Sequence, residues 1–195
     1  RDSWYDMANI ALPVALALAH AHEAGVLHND IKPANLLLDS DGNVIVTDFG
    51  IGRRMSGPDD QVTADKSEEH QVGTLRYMAP ERLRGQCDAR SDVYSLGVTL
   101  YELVTQTPAF AADDRRKVMD MILQSRVTPP RQLAPELPRP LETIILNALQ
   151  PDPNVRYPSA AALASDLLRF VNGLSITDRR PGLFDRTWRW FSRKH

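Results

Sequence analysis

The sequence predicts a mainly α-helical domain that contains one small β-hairpin. Apolar residues recur at helical spacing in several long segments, the first of which covers residues 5–24 and is apolar on nearly every side. Between two short apolar runs, at 36–38 and 44–47, stands Asp41-Gly42, which is typical of a tight turn between antiparallel strands. At 195 residues, the chain is long enough to bury a substantial core.

Composition and charge restrict the function only loosely. The formal net charge of −2 gives no overall field that would attract nucleic acid, so no nucleic-acid partner is expected. Cys87 is the single cysteine, which excludes an internal disulfide and fits a reducing compartment such as the cytoplasm. The chain starts at Arg1 without a signal peptide, so we expect this start to be a cut end and not a natural N-terminus.

The helix at 5–24 is expected to lie in the protein core with both of its apolar stripes buried, including Leu16. Residues 10–19 are nearly free of polar groups, but this run is far shorter than the ~20 residues needed to span a bilayer. Pro13 is expected to kink the helix or to begin its second half. Gly25 should end the helix in the left-handed conformation.

A second long helix is predicted from Ser91 to about Thr105, and its apolar stripe indicates that it is the central pillar of the domain. Gly97 lies inside this helix and lowers its intrinsic stability, which indicates a close approach of another backbone. Three further helices, bounded by prolines and by Gly173, are predicted at about 114–125, 140–150 and 159–171.

The hairpin brings candidate site residues together. If its strands pair about the centre of the Asp41-Gly42 turn, Asn35 before the first strand falls opposite Asp48 after the second. An amide oxygen and a carboxylate then converge, and hard oxygen ligands of this kind suit Mg²⁺. Asp30 lies on the loop that leads into the same place.

Three motifs resemble the catalytic half of a eukaryotic-type protein kinase. In chain order they are His28-Asn29-Asp30 with Asn35, Asp48-Phe49-Gly50, and Ala79-Pro80-Glu81. The resemblance covers about residues 5–172 and implies the helical C-terminal lobe of a serine/threonine kinase of the bacterial receptor-like branch. It places a partial kinase domain at 1–173, with the N-terminal lobe absent from the chain.

The resemblance also implies a role for each candidate site residue. Asp30 would be the catalytic base that takes the proton of the attacking hydroxyl, and Lys32 would bind the γ-phosphate of ATP. Asn35 and Asp48 would hold Mg²⁺ against the nucleotide. Thr74 would help to dock a protein substrate, and together with Lys32 it indicates that the phosphorylated residue is serine or threonine.

Other residues would support the site without contacting the substrate. By the same resemblance, the ring of His28 would pack against Phe49 of the Asp-Phe-Gly motif. Asp92 would accept hydrogen bonds from the backbone of the catalytic loop. Arg156 would form a buried ion pair with Glu81.

Asn29 departs from the family pattern, which has arginine at this position. That arginine pairs with a phosphate on the activation segment, and a neutral amide cannot form the same charged fork. We therefore expect little activation by phosphorylation of the hydroxyl residues in this segment, which are Ser56, Thr63, Ser67 and Thr74.

Residues 174–195 form a basic and aromatic tail. The mixture of tryptophan, phenylalanine, arginine and lysine at 186–194 suits contact with a membrane surface, and it is similar to the juxtamembrane stretch of bacterial receptor-like kinases. The full-length protein would then be anchored at the cytoplasmic face of a membrane. A linker with adventitious charges is the alternative.

Two other functions stay open at this stage. A small-molecule phosphotransferase of the aminoglycoside type shares an Asp, an Asn five residues later and a metal-binding Asp, but it is not expected to carry Lys32 with the 74–81 segment. A pseudokinase that acts as a binding scaffold usually loses a site residue, whereas all of them are present here. The chain has no Gly-x-Gly-x-x-Gly loop, and none of its four lysines matches the lysine of the N-terminal lobe, so we expect these residues alone to be nearly inactive.

Overall fold

The computed structural model describes residues 2–49, 73–112 and 114–177. This part of the chain is mainly helical and has one small two-stranded sheet, so the fold class expected from the sequence is confirmed. The strands are β1 (Leu36–Leu38) and β2 (Val44–Val46). The α-helices are α1 (Asp2–Glu23), α2 (Ala89–Thr105), α3 (Arg115–Leu123), α4 (Pro130–Leu133), α5 (Arg139–Ala148) and α6 (Ala160–Val171).

Helix α1 packs against α2 and α6 and is buried on one side only. Its core-facing residues are Ala8, Ala11, Val14, Ala15 and Leu18. Leu16 is 55% exposed, so the prediction that both apolar stripes are buried is wrong for this residue, because the packing of α1 leaves that side to solvent. Pro13 lies inside the helix without ending it. Gly25 has a φ of +73° just after the helix, which confirms the predicted left-handed end.

Across the described ranges, no helix has both the length and the apolar character that are needed to cross a lipid bilayer.

Helix α2 is the most deeply buried helix of the core, and it begins two residues earlier than predicted. The Asp88 side chain accepts a hydrogen bond from the backbone of Arg90 at 2.7 Å and so caps the helix, which starts at Ala89. A Cβ atom at Gly97 would lie 2.7 Å from the Cβ of Ala148 in α5. The predicted close backbone approach at Gly97 is therefore confirmed.

The register of the hairpin differs by one residue from the sequence-based expectation. The strands pair Leu36 with Val46, Leu37 with Ile45 and Leu38 with Val44. Asn35 consequently lies opposite Thr47, whose backbone N–H donates to the Asn35 carbonyl at 3.0 Å, and not opposite Asp48.

The loop between the strands explains this difference. Residues 39–43 connect the strands, and the N–H of Asp39 donates to the Asn43 carbonyl at 3.0 Å. A loop with an odd number of residues has its centre on a residue, here Asp41, whereas the prediction placed the centre between Asp41 and Gly42. Moving the centre of the loop by half a residue shifts the partner of every strand residue by one position.

The C-terminal helices lie close to their predicted positions, with one addition. Helix α4 was not predicted, because Pro129-Pro130 was interpreted only as a boundary, although proline at the first helical position favours a helix start. After α6, the N–H of Thr177 donates to Asp166 at 2.9 Å, so residues 174–177 return to the domain. The remainder of the predicted tail lies outside the described residues, and the domain boundary at 173 stays a prediction.

We expect Gly97→Ala to destabilise the domain by about 1–3 kcal/mol, because the added methyl group would overpack the contact with Ala148. Alanine is otherwise favoured over glycine inside a helix by about 1 kcal/mol, so the sign of the change tests the contact. Urea denaturation would measure the free energy of unfolding. Gly73→Ala is the matched control, because a Cβ there would meet nothing within 4 Å. Equal effects of the two substitutions would contradict the prediction.

Candidate active site

The start of the catalytic loop, residues 28–35, is anchored to Asp92 of helix α2. The backbone N–H of His28 donates to Oδ2 of Asp92 at 2.8 Å, and the N–H of Asn29 donates to Oδ1 at 2.8 Å. Asp92 is 1% exposed, so these bonds compensate a carboxylate that has lost its water. Nε2 of His22, at the end of α1, also lies 2.9 Å from Oδ2. This contact of His22 was not predicted. The sequence shows only that His22 is a basic residue in the last turn of the helix.

His28 is completely buried and connects the catalytic loop to the end of the hairpin. Its Nδ1 accepts the backbone N–H of Asp30 at 3.2 Å, so its Nε2 carries the proton and donates to the Thr47 carbonyl at 2.9 Å. Its ring packs edge-on against Phe49, with 4.6 Å between the ring centroids. With both nitrogens bonded, His28 orients the loop and has no nitrogen left for proton transfer.

Lys32 joins two segments that are far apart in the sequence. Its Nζ lies 2.8 Å from Oδ2 of Asp30 and donates to Oγ1 of Thr74 at 3.0 Å. Both charged side chains are partly accessible, at 19% for Lys32 and 14% for Asp30. The arrangement therefore brings a carboxylate, a cation and a hydroxyl together at a partly accessible position on the loop.

Asn35 ends a short 3₁₀ turn, residues Pro33–Asn35, and is 5% exposed. Its Nδ2 donates to the carbonyl of Asp30 at 2.7 Å and to Oδ2 of the same residue at 3.0 Å. The two hydrogens of the amide are therefore used, and its Oδ1 is the atom that can bind a cation. Asn35 thus fixes Asp30 through its nitrogen and keeps an oxygen for a ligand.

Asp48 follows the hairpin in the left-handed conformation, with a φ of +63°, and its side chain is exposed. Aspartate tolerates this region better than most residues. Its carboxylate and the amide oxygen of Asn35 are hard oxygen donors of the kind that Mg²⁺ prefers, and Mg²⁺ needs few protein ligands. These donor types suit Mg²⁺, but the observed register places Asn35 opposite Thr47 and not opposite Asp48, so a magnesium site shared by Asn35 and Asp48 stays a prediction.

Glu81 and Arg156 form a two-pronged ion pair in the core. Nη1 of Arg156 lies 2.8 Å from Oε1 of Glu81, and Nη2 lies 3.1 Å from Oε2. The same guanidinium donates to the carbonyls of Gln150 at 2.9 Å and Arg90 at 2.6 Å, and it lies 4.9 Å from the ring centre of Tyr94. The pair thus ties the segment after Thr74 to the start of α2 and to the loop after α5.

The ion pair also determines the protonation of Glu81. Burial raises the pKa of the Glu81 carboxyl, but the hydrogen bonds and the charge of Arg156, with a smaller effect of Ser91, lower it more. The net result is a pKa below the ordinary value of 4.5. Glu81 is therefore ionised in the folded protein at neutral pH.

Some of the predicted site lies outside the described residues. This applies to Gly50 of the Asp-Phe-Gly motif and to Ser56, Thr63 and Ser67 of the activation segment. The described portion brings Asp30, Lys32, Asn35 and Thr74 into direct contact.

Comparison with known proteins identifies the fold. Residues 3–168 match the family model described as the protein kinase domain. The chain belongs to this family. The matched range contains the loop, the hairpin, helices α2 to α5 and most of α1 and α6, and the sequence-based resemblance to kinases is thereby confirmed.

Bacterial serine/threonine-protein kinases are among the relatives of this domain. Serine/threonine-protein kinase PknB of Mycobacterium tuberculosis is 39% identical over 158 residues, which cover 80% of this chain and 25% of the relative. The protein of the same name from Mycolicibacterium smegmatis is 37% identical, with 80% and 25% covered. The chain spans about a quarter of the length of these relatives. Their names favour a protein kinase over the small-molecule phosphotransferase considered above.

We expect Glu81→Gln to lower the free energy of unfolding of the kinase domain by about 3–5 kcal/mol, because the buried charge of Arg156 would lose its partner. Urea denaturation would measure this change. The matched control is Arg90→Met, which breaks the partly exposed ion pair with Asp88 and should cost about 1 kcal/mol or less. Losses of similar size in both variants would contradict a special role of the buried pair.

The loss of stability in Glu81→Gln should depend on pH in a characteristic way. Because folding lowers the pKa of Glu81, its ionised form stabilises the fold above pH 4.5, and this stabilisation is lost as the pH falls through the folded pKa. The difference in stability between the wild type and Glu81→Gln should therefore be constant near neutral pH and should shrink below pH 4.5. A difference that grows in acid would overturn the assignment of the charge.

Proposed function

We propose that the full-length protein is a serine/threonine protein kinase that transfers the γ-phosphoryl group of Mg-ATP to a serine or threonine hydroxyl of a protein. One observation carries this proposal: Nζ of Lys32 contacts both Asp30 and Thr74, at 2.8 and 3.0 Å. A base, a phosphate-binding cation and a substrate-docking hydroxyl are thus adjacent. The names of the bacterial relatives support the same activity.

In the proposed reaction, Asp30 is the base. Its Oδ2 is held by Lys32 and Asn35, so among the described contacts Oδ1 is the oxygen left for the substrate hydroxyl. As the hydroxyl oxygen forms a bond to the γ-phosphorus, its proton passes to Asp30. The bond from this phosphorus to the bridging oxygen breaks, and ADP leaves with the electron pair.

Charge neutralisation accompanies this transfer. Asn35 and Asp48 would hold Mg²⁺, which supplies positive charge to the phosphate oxygens. Lys32 adds a further positive charge near the γ-phosphate. Because Lys32 also contacts Thr74, the position of the cation depends on the docking segment, so phosphate binding and substrate docking are linked.

The proposal extends to the location of the protein. The basic and aromatic residues at 186–194 would contact the anionic cytoplasmic face of a membrane. These residues lie outside the described part of the structure, so their composition alone supports this step.

We expect Asp30→Asn and Asp48→Asn each to reduce phosphoryl transfer by the full-length protein by about 100-fold or more, because they remove the base and a metal ligand. Incorporation of labelled phosphate into a protein substrate would measure the rate. Asp41→Asn, an exposed change in the hairpin loop, is the matched control and should keep the wild-type rate. A near-wild-type rate in either site variant, with the fold intact, would remove that residue from the mechanism.

We expect the 195 residues alone to bind Mg-ATP weakly and to transfer phosphate slowly. In the family, a glycine-rich loop and a lysine of the N-terminal lobe hold the nucleotide phosphates, and neither motif occurs in this sequence. Titration with Mg-ATP and a peptide phosphorylation assay would compare this chain with the full-length protein. Micromolar binding together with efficient transfer by the chain alone would contradict the prediction.

A further inference from the structure

Asn29 is held by side chains of the segment that follows the Ala79-Pro80-Glu81 motif. The Sγ of Cys87 donates to Oδ1 of Asn29 at 2.9 Å. The guanidinium of Arg82 donates to the backbone carbonyl of Asn29. Because the N–H of Asn29 is bonded to Asp92, both ends of its backbone unit and its side chain are all fixed.

The segment that carries Cys87 is itself firmly attached. It leaves Glu81 through a 3₁₀ turn, Arg82–Arg84, and the backbone N–H of Gln86 donates to the Glu81 carbonyl at 3.0 Å. One residue after Cys87, Asp88 caps helix α2. The thiol is thus positioned between the core ion pair of Glu81 and the start of the central helix.

The backbone of Asn29 needs such support. Its φ of +67° lies in the left-handed region, which is unfavourable for a non-glycine residue although asparagine tolerates it better than most. Asn29 directly precedes Asp30, so a change of conformation at Asn29 would move the candidate base. Contacts that hold Asn29 therefore also set the direction of Asp30.

We infer that Cys87 is a positioning residue of the kinase site: its thiol, together with Arg82, holds Asn29 and thereby Asp30 in place without a phosphate on the activation segment. This inference rests on the function proposed above. In this inference, a neutral hydrogen bond between a thiol and an amide holds the loop, whereas an ion pair between arginine and phosphate holds it in the family pattern.

The chemistry of the pair supports this role. Although Cys87 as a residue is exposed, desolvation raises the pKa of its thiol, and this effect exceeds the lowering by the nearby Arg82 charge. The thiol therefore stays protonated at neutral pH and keeps its donor hydrogen. The side chain of arginine contains only donors, so an arginine at position 29 could not accept this bond. Cys87 and Asn29 thus complement each other.

Steady-state kinetics of the full-length protein test this inference. Loss of one hydrogen bond of about 1 kcal/mol corresponds to about a fivefold change in rate, so Cys87→Ala should lower kcat about fivefold with an unchanged KM for ATP. Cys87→Ser should restore kcat to within about twofold, because a hydroxyl can donate to the same oxygen. Gln86→Ala, an exposed neighbour, is the matched control and should match the wild type.

The pairing of the two residues is tested by a double variant. If Cys87 acts through Asn29, adding Cys87→Ala to Asn29→Ala should not reduce kcat further. The inference would be overturned by any of three results: a double variant whose kcat is lowered by the product of the two single effects, a wild-type kcat in Cys87→Ala, or a Cys87→Ser variant as slow as Cys87→Ala. Phosphatase treatment should leave the wild-type rate unchanged, and loss of activity after treatment would also overturn it.

A failure of the proposed function can be distinguished from a failure of this inference. If the wild-type protein transfers no phosphate to any protein substrate, the proposed function is wrong. Urea denaturation then tests whether residues 29 and 87 are energetically coupled. The proteins compared are the wild type, the variants Asn29→Ala and Cys87→Ala, and the double variant. Non-additive changes in the free energy of unfolding would support a coupled pair of residues 29 and 87, and additive changes would refute it.

Discussion

The carboxylate of Asp92 is the point at which helix packing determines the geometry of the site. A buried charge of this kind is tolerated only when hydrogen bonds replace its water, and the backbone N–H groups of His28 and Asn29 supply two of them. These bonds anchor the start of the catalytic loop to α2. That helix is itself packed closely against α5, because Gly97 has no side chain and so allows Ala148 to approach its backbone.

Buried and partly exposed charges have different tasks in this domain. The pairs with fully buried members, such as Glu81 with Arg156, are enclosed by further hydrogen bonds and join segments distant in sequence. Asp30 and Lys32 remain partly accessible, as the roles proposed for them require. The structure therefore separates the charges that hold the fold together from those that are available for chemistry.

Local patterns predicted the helices and the hairpin well, since helical periodicity and turn residues act over short distances. The register failed because the Asp41-Gly42 pair does not reveal whether the loop has an even or an odd number of residues. The contact of His22 with Asp92 joins residues far apart in the chain, as does that of Cys87 with Asn29, and no periodicity reveals such pairs. Asn29 could be recognised as unusual, but its partners could not.

The double contact of Lys32 has a thermodynamic consequence. An ammonium group has three donor hydrogens, and the bonds to Asp30 and Thr74 use two of them, so one is left for a phosphate oxygen. A phosphate that accepts this third hydrogen would meet a cation whose position is already fixed by its two partners. The entropy cost of ordering this long side chain is then incurred on folding and not on binding.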